Sequence, residues 1–261
     1  MITDSFDNRS PAKINPVIND NALKVDACIL TFSNVIESFV LNNYPCEKIG
    51  DFYFATGATP VYKIFHGGRA YAFYKTYVGA PACVGTIEDT MALIRTDKYI
   101  LFGGCGCLDR EIAHGKVMVP TAAYRDEGTS YHYAPASDYI DIPNAKVVEA
   151  FMRENGIPCV LGKTWTTDAF YRETETNIQK RKAEGCISVE MESSAVQALC
   201  NFRNLSLYVF FTSGDLLDAP EWDERHKQGQ TEGTQHDAGH FDIALALAEY
   251  VSKRSADCFI K

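Results

Sequence analysis

GCISVEMESSAVQALC, residues 185–200, begins as a short apolar run of strand length and passes straight into a helix. The β-branched run 186–189 reads as a buried strand, and 192–202 carries helix-forming residues with an apolar face. Two carboxylates, Glu190 and Glu192, flank Met191 at the joint. A carboxylate where a buried strand ends is poorly solvated, so it needs hydrogen-bond donors. A sugar diol would supply two, and a methionine between the acids suits a flat, apolar ligand face.

The same alternation extends outward from this unit. Strand-like runs are DACILTF (26–32), PVYKIF (60–65), AYAFYKTYV (70–78), YILFGG (99–104), KVMVPT (116–121), PCVLGKT (158–164), CISV (186–189) and SLYVFFT (206–212). YILF and LYVFF do not alternate, which fits strands covered on both faces. Helical patterns fall at 34–41, 84–95, 145–155, 174–184, 192–202 and 238–252. In the last, Phe241, Ala244, Leu245 and Ala248 form one apolar stripe. The expected fold is therefore α/β: a single domain, residues 26–261, with a twisted, mixed central β-sheet flanked by helices. Residues 1–25, rich in Asn, Asp and Pro, read as an N-terminal arm. The polar stretch 218–237 reads as a long loop, a common place for a functional lid.

The bulk properties narrow the function. The 261 residues carry 25 Lys plus Arg against 34 Asp plus Glu, a formal charge of −9. Nucleic-acid and anionic-membrane binding need basic surface, so neither is expected. One small anion held by local donors stays compatible with this charge. The nine cysteines are odd in number and scattered, as in a reduced cytoplasmic protein. Cys105-Gly-Cys107 is too tight for a zinc knuckle, so no metal is expected. No signal peptide and no membrane-length apolar run is expected either.

Three further segments offer chemistry. KYILFGGCGCLD, 98–109, reads as a buried strand ending in a glycine turn, where a ligand can approach backbone N–H groups. It lacks the spacing of dinucleotide and P-loop motifs, and a tight packing turn explains it equally well. SLYVFFTSGDLLD, 206–218, places Asp215 where a central strand ends, which is where α/β sheets put ligands. There it reads either as a proton donor or as a cap on the next turn. KTWTTDAFYRETE, 163–175, puts Phe170 and Tyr171 in a loop, where an aromatic ring can stack on a heterocyclic base. A glycine turn, a stacking aromatic, a diol-binding carboxylate and a proton donor together suit cleavage of an N-glycosidic bond. That reaction needs a protonated leaving group and a stabilised oxocarbenium-like sugar.

With these segments, YILFGGCGCLD, KVMVPTAAYRDEGTSYHY, TWTTDAFYRETE, CISVEMESSAV and FFTSGDLLD, the chain resembles the nucleoside phosphorylase-I superfamily. That group comprises purine nucleoside phosphorylases, uridine phosphorylases and methylthioadenosine/S-adenosylhomocysteine nucleosidases. The resemblance covers roughly residue 26 to the C-terminus, with VEMES as its most specific piece. It implies that Glu192 binds the ribose hydroxyls and that Met191 packs on the sugar. Phe170 would stack on the base, with Cys105, Gly106, Val189 and Glu190 lining the base pocket. Glu190 reads equally as a structural carboxylate. Asp215 would protonate a purine ring nitrogen, with Arg225 assisting, and Ser33 and Gly104 would contact phosphate. The resemblance further implies no cofactor beyond phosphate as co-substrate, and a homodimer or trimer of dimers.

The departures from the family pattern are as informative. Phosphorylases of this family carry G-D-P-x-R after the first strand, but the corresponding run here is TFSNVIES, without arginine. The arginine that usually precedes the glycine turn is replaced by Leu101, and the usual serine by Gly104. Phosphate is a dianion that normally requires Arg, Lys or several backbone N–H groups. Arg69, Arg110, Lys75, Ser33 or a residue from a neighbouring subunit could substitute, and nothing in the sequence selects one. The expected function is a nucleoside phosphorylase acting on a purine-type nucleoside. The alternatives are a nucleoside hydrolase, with Glu37 or an acid nearby as the base for the attacking water, and a nucleoside-binding protein without catalysis.

Overall fold

The structure is a computed structural model and describes residues 1–55, 57–113, 115–218 and 233–254. Its strands are β1 (Leu23–Lys24), β2 (Ala27–Thr31), β3 (Cys46–Phe54), β4 (Gly57–His66), β5 (Arg69–Lys75), β6 (Ile94–Arg95), β7 (Lys98–Cys107), β8 (Val117–Asp126), β9 (Tyr139–Asp141), β10 (Cys159–Thr167), β11 (Cys186–Glu190) and β12 (Ser206–Leu216). Its helices are α1 (Asn34–Asn43), α2 (Ala80–Thr90), α3 (Arg110–Ala113), α4 (Ser130–Tyr133), α5 (Ala145–Glu154), α6 (Glu175–Ala183), α7 (Ser193–Arg203) and α8 (Gly233–Lys253).

The main sheet runs β11-β10-β8-β12-β7-β2-β5-β4-β3, with β9 on β8. It is mixed: β10 lies parallel to β8 and β11, and β2 parallel to β5 and β7, whereas β3-β4-β5 is an antiparallel meander. β11 also pairs antiparallel with β7, Val189 opposite Gly106 and Ser188 opposite Cys107. That pairing closes β11-β10-β8-β12-β7 into a ring, a small distorted barrel with an open sheet attached at β7. Closure removes one sheet edge. It also brings the ends of β7, β11 and β12 to one place.

The two faces of the sheet carry separate apolar layers. One includes Leu30, Tyr74, Leu101, Ala195, Leu199 and Phe211 beneath α2 and α7. The other includes Ile29, Phe73, Phe102, Val148, Phe210 and Phe241 beneath α5 and α8. The predicted stripe Phe241, Ala244, Leu245 and Ala248 on α8 is buried throughout. The Phe241 ring meets the Tyr44 and Phe73 rings edge-on, with centroids 5.0 and 5.3 Å away. Residues 1–25 meet the rest of the chain at both ends, the 3-10 turn Ile2–Asp4 against α4 and β1 paired with β6.

The structure departs from the sequence reading in several places. β7 runs on through the glycines to Cys107, so the expected glycine turn is strand. β8, β10 and β12 also run past their expected ends. α2 starts at Ala80, with Pro81 in its first turn, and ends at Thr90, because the apolar run 91–94 belongs to a turn and β6. α8 begins at Gly233, inside the expected loop. The remainder of that loop, with Arg225, lies outside the described residues. No described helix is long and apolar enough to cross a membrane. The eight described cysteines are all free thiols.

Candidate active site

The E-M-E joint is built from the inside out. Glu190 ends β11 and is buried. Its Oε2 accepts the Glu192 and Ser193 amides at 2.8 and 2.7 Å, two orphan donors at the start of α7. Its Oε1 accepts the Thr166 hydroxyl at 2.5 Å and the Thr164 hydroxyl at 3.4 Å. A carboxylate at a helix N-terminus is favoured both by hydrogen bonding and by the helix dipole. Burial still pushes its pKa up against the pull of those donors. Glu190 thus fastens α7 to β10, its oxygens taken by protein donors. Glu190→Gln is expected to cost about 1–3 kcal/mol, because its one oxygen can serve the Glu192 and Ser193 amides only by turning its NH2 on the Thr164 and Thr166 hydroxyls, which lose their acceptor. Chemical denaturation measures it as a lower midpoint at unchanged slope.

Glu192 is equally buried and differently served. Its Oε1 accepts the Gly79 amide at 2.5 Å, and its Oε2 the amide of Met191 at 3.3 Å. Gly79 sits between β5 and α2 with φ +100°, a conformation that suits glycine. Burial, with Glu190 and Asp168 adding negative charge nearby, raises the Glu192 carboxyl to about 8. The sign of the consequence follows from linkage. An ordinary glutamate, near 4.5, ionises in the unfolded chain while folded Glu192 keeps its proton. The stability this group contributes is fully present below about pH 4.5 and lost as pH rises through about 8. The ligand-free melting temperature should therefore fall between pH 5 and pH 9, on the order of 5 °C, and less so in Glu192→Gln. An equal slope in the variant would exclude Glu192 as the source.

The strand ends around this pair are tied to it. Gly106 faces Val189 across the ring closure. A Cβ at Gly106 would lie 2.7 Å from Val189 Cγ1, 2.8 Å from Leu217 Cδ1 and 3.4 Å from Asp215 Oδ1. The missing side chain is what lets β7, β11 and the end of β12 converge. Asp215 pairs with Gly106 just past a bulge at Gly214 and is half-buried. Cys105 is buried, its thiol pushed well up by burial, and its Sγ reaches the Thr212 carbonyl at 3.5 Å. Gly104 lies exposed opposite Thr212. Ser33 ends the β2 segment and caps α1, its Oγ accepting the Val35 and Ile36 amides at 3.2 and 3.3 Å. A Cβ on Gly103 would touch the Phe32 ring at 3.0 Å, so β7 passes directly beside this corner. Met191 is half-buried at the joint.

Phe170 begins a short 3-10 turn, Phe170–Arg172, and is 51% exposed, its ring tilted against Tyr171 at 4.1 Å. Three acids beyond the sequence reading join the cluster. Glu173, closing that turn, is raised to about 7 by burial and then by the negative charge of Asp215. Asp168 accepts the Gly128 amide at 3.1 Å and is raised by burial. Buried Glu127 accepts the Ser130 amide and the Ser194 hydroxyl, both at 2.9 Å. Through Ser194, whose amide donates to Thr166 at 3.1 Å, Glu127 extends the network that holds Glu190. The segment TSYHY is part of this frame, with the Tyr131 hydroxyl on the Arg125 carbonyl and that of Tyr133 on Glu88.

The pattern that describes the phosphorylase superfamily matches residues 28–245, which span these elements. The chain belongs to the phosphorylase superfamily. This superfamily chain is 26% identical over 181 residues to an uncharacterised protein of Acanthamoeba polyphaga mimivirus, 69% of this chain and 70% of that one. It is 25% identical over 150 residues to the guanosine phosphorylase of Halorubrum lacusprofundi, 55% and 61% of the two chains. With the DeoD-type purine nucleoside phosphorylase of Brevibacillus brevis it shares 23% over 176 residues, 66% and 73%. Uridine phosphorylase from Vibrio fischeri has the same fold, with a TM-score of 0.71 at 18% identity over 91% and 95% of the chains. AMP nucleosidase from Bacteroides thetaiotaomicron does too, at 0.65 and 15% over 88% and 89%. The superfamily chain thus has the fold of phosphorylases and of a nucleosidase alike.

Proposed function

We propose that this chain cleaves the N-glycosidic bond of a purine-type nucleoside, with phosphate attacking C1′. The observation that carries the reading is the setting of Glu192. It is a buried carboxylate met only by two backbone amides among the described contacts, a few residues from the junction of Gly106, Val189 and Asp215. A diol donating to Glu192 would replace the missing solvation of that acid. Met191 and Phe170 would cover the sugar and the base, and Cys105, Gly106 and Val189 would form the wall behind the base. As the C1′–N bond breaks, its electron pair passes to the base, and Asp215 delivers a proton to a ring nitrogen. Phosphate oxygen forms the new bond at C1′. Ser33 and Gly104 stand at the corner where phosphate would enter. The relatives named as guanosine and purine nucleoside phosphorylases support this choice.

Hydrolysis is the second reading, favoured by one observation. Glu37, in the first turn of α1, places a carboxylate 3.3 Å from Lys75 at the same corner. The deciding experiment incubates the purified protein with inosine, adenosine, guanosine, uridine and methylthioadenosine, with and without phosphate. Release of purine base that requires phosphate is the expected result. Release indifferent to phosphate makes water the nucleophile, and binding without release removes the catalytic reading.

A further inference from the structure

Phosphate needs a cation here, and the arginines of the family pattern are absent from the segment TFSNVIES and from position 101. The structure separates the three cations that could replace them. Arg69 is the first residue of β5, at the opposite end of that strand from Lys75, its Nη1 2.5 Å from Asp26 where β2 begins. Arg110 follows β7 and is held by Asp218, with its backbone amide at 2.7 Å and its Nε at 3.3 Å. Lys75 is the last residue of β5, in register with Thr31, the last of β2. The next residue tightens this end, Thr76 N donating to the Thr31 carbonyl at 2.8 Å. Lys75 therefore sits two residues from Ser33 in register, on the corner that Gly103 passes through its contact with Phe32.

At that corner Lys75 Nζ donates to the Asn34 side-chain oxygen and lies 3.3 Å from Glu37 Oε2. The Lys75 side chain is 28% exposed and that of Glu37 is 18% exposed, so both are reachable from solvent. The first amides of α1 are occupied, because Ser33 Oγ already accepts from Val35 and Ile36. Among the described residues the cation at this corner for an incoming dianion is the Lys75 ammonium, and its partner Glu37 carries the same sign of charge as phosphate.

We propose that Lys75 is the phosphate-binding cation of this chain, and that Glu37, its counter-ion in the ligand-free state, sets how tightly phosphate is held. This rests on the reading of phosphate as nucleophile. Phosphate enters by replacing the Glu37 carboxylate on Lys75, so the site works as an exchange of one anion for another. A lysine acts here as a point charge and not as the two-pronged fork of an arginine. Discrimination between phosphate and other small oxyanions should therefore be weaker than an arginine clamp provides.

The test is steady-state kinetics of base release at varied phosphate, with wild type, Lys75→Gln, Lys75→Arg and Glu37→Gln. Lys75→Gln should raise the KM for phosphate roughly tenfold to a hundredfold, the value of a charge-assisted hydrogen bond. Its KM for nucleoside should stay within about threefold, a shift small beside one charge-assisted bond, and Lys75→Arg should restore most of the loss. Glu37→Gln should move the other way, lowering the KM for phosphate by about fivefold, the upper range for a solvent-reachable ion pair. These opposite shifts separate a binding role from a folding defect, which would impair both variants alike. Phosphate-dependent release with a KM unmoved in Lys75→Gln overturns the assignment and leaves the reaction standing. Wild-type release indifferent to phosphate overturns both.

Discussion

Asp215→Asn should lower the maximal rate of base release by roughly 10²- to 10⁴-fold, the range for loss of a general acid. Affinity for the nucleoside should change little. Asparagine has nearly the same shape, so the packing of this side chain beside Gly106 survives. What is lost is the proton delivered to the base as the C1′–N bond opens. The variant should therefore show a reduced rate at a nearly unchanged nucleoside KM. A variant that turns over at the wild-type rate removes Asp215 from proton transfer.

Glu192→Ala carries the second large expectation, a roughly 100-fold or greater loss of nucleoside affinity. Two hydroxyl-to-carboxylate hydrogen bonds are removed, each worth about 1.5–3 kcal/mol. In the ligand-free protein the loss should depend on pH. Glu192 sits buried beside Glu190 with its carboxyl raised to about 8, so its ionisation at high pH works against the folded state. Its removal deprives the Gly79 and Met191 amides of their acceptor and should lower melting at pH 5, and by less at pH 9, while binding collapses. Calorimetric titration with a nucleoside, paired with a melting curve, reads both. Unchanged affinity would remove the diol assignment.

The fold was legible in the sequence wherever burial wrote a continuous apolar run. β2, β7, β11 and β12 are such runs, and α8 shows its stripe through Phe241, Ala244, Leu245 and Ala248. β3 was not legible. Its residues Glu47 and Lys48 face solvent at the edge of the sheet and Gly50-Asp51 interrupts the run, so CEKIGDFYF lacks a continuous apolar stretch. The strands outrun their apolar stretches for a common reason. Apolarity stops where the site begins, but the strands do not. Thr164 and Thr166 continue β10 as polar residues because they hydrogen-bond Glu190, and glycines continue β7 because Phe32 and Val189 press against them.

The site shows the same division. Glu190, Glu192 and Asp215 stand out because acids at the ends of apolar strands need a physical reason. Glu173 does not, because within the polar run RETET it looks like a solvated helix start; only the fold turns it toward Asp215. Gly79 is similarly silent, since its amide meets Glu192 across more than a hundred residues of chain. Choosing among Arg69, Arg110 and Lys75 required knowing which end of the sheet each one occupies.

The pairing of β7 with β11 that closes the barrel ring also bears on the order of folding. Val189 and Gly106 are joined across the chain that carries β8 and β10, so this pairing is expected to form after those strands are in place. Joining ends so far apart in the chain is entropically slow, and contacts of this kind form late in refolding. Because Gly106, Val189 and Asp215 share that seam, a refolding chain should acquire most of its helical signal before it can hold a ligand. Recovery of binding should then trace the slowest kinetic phase.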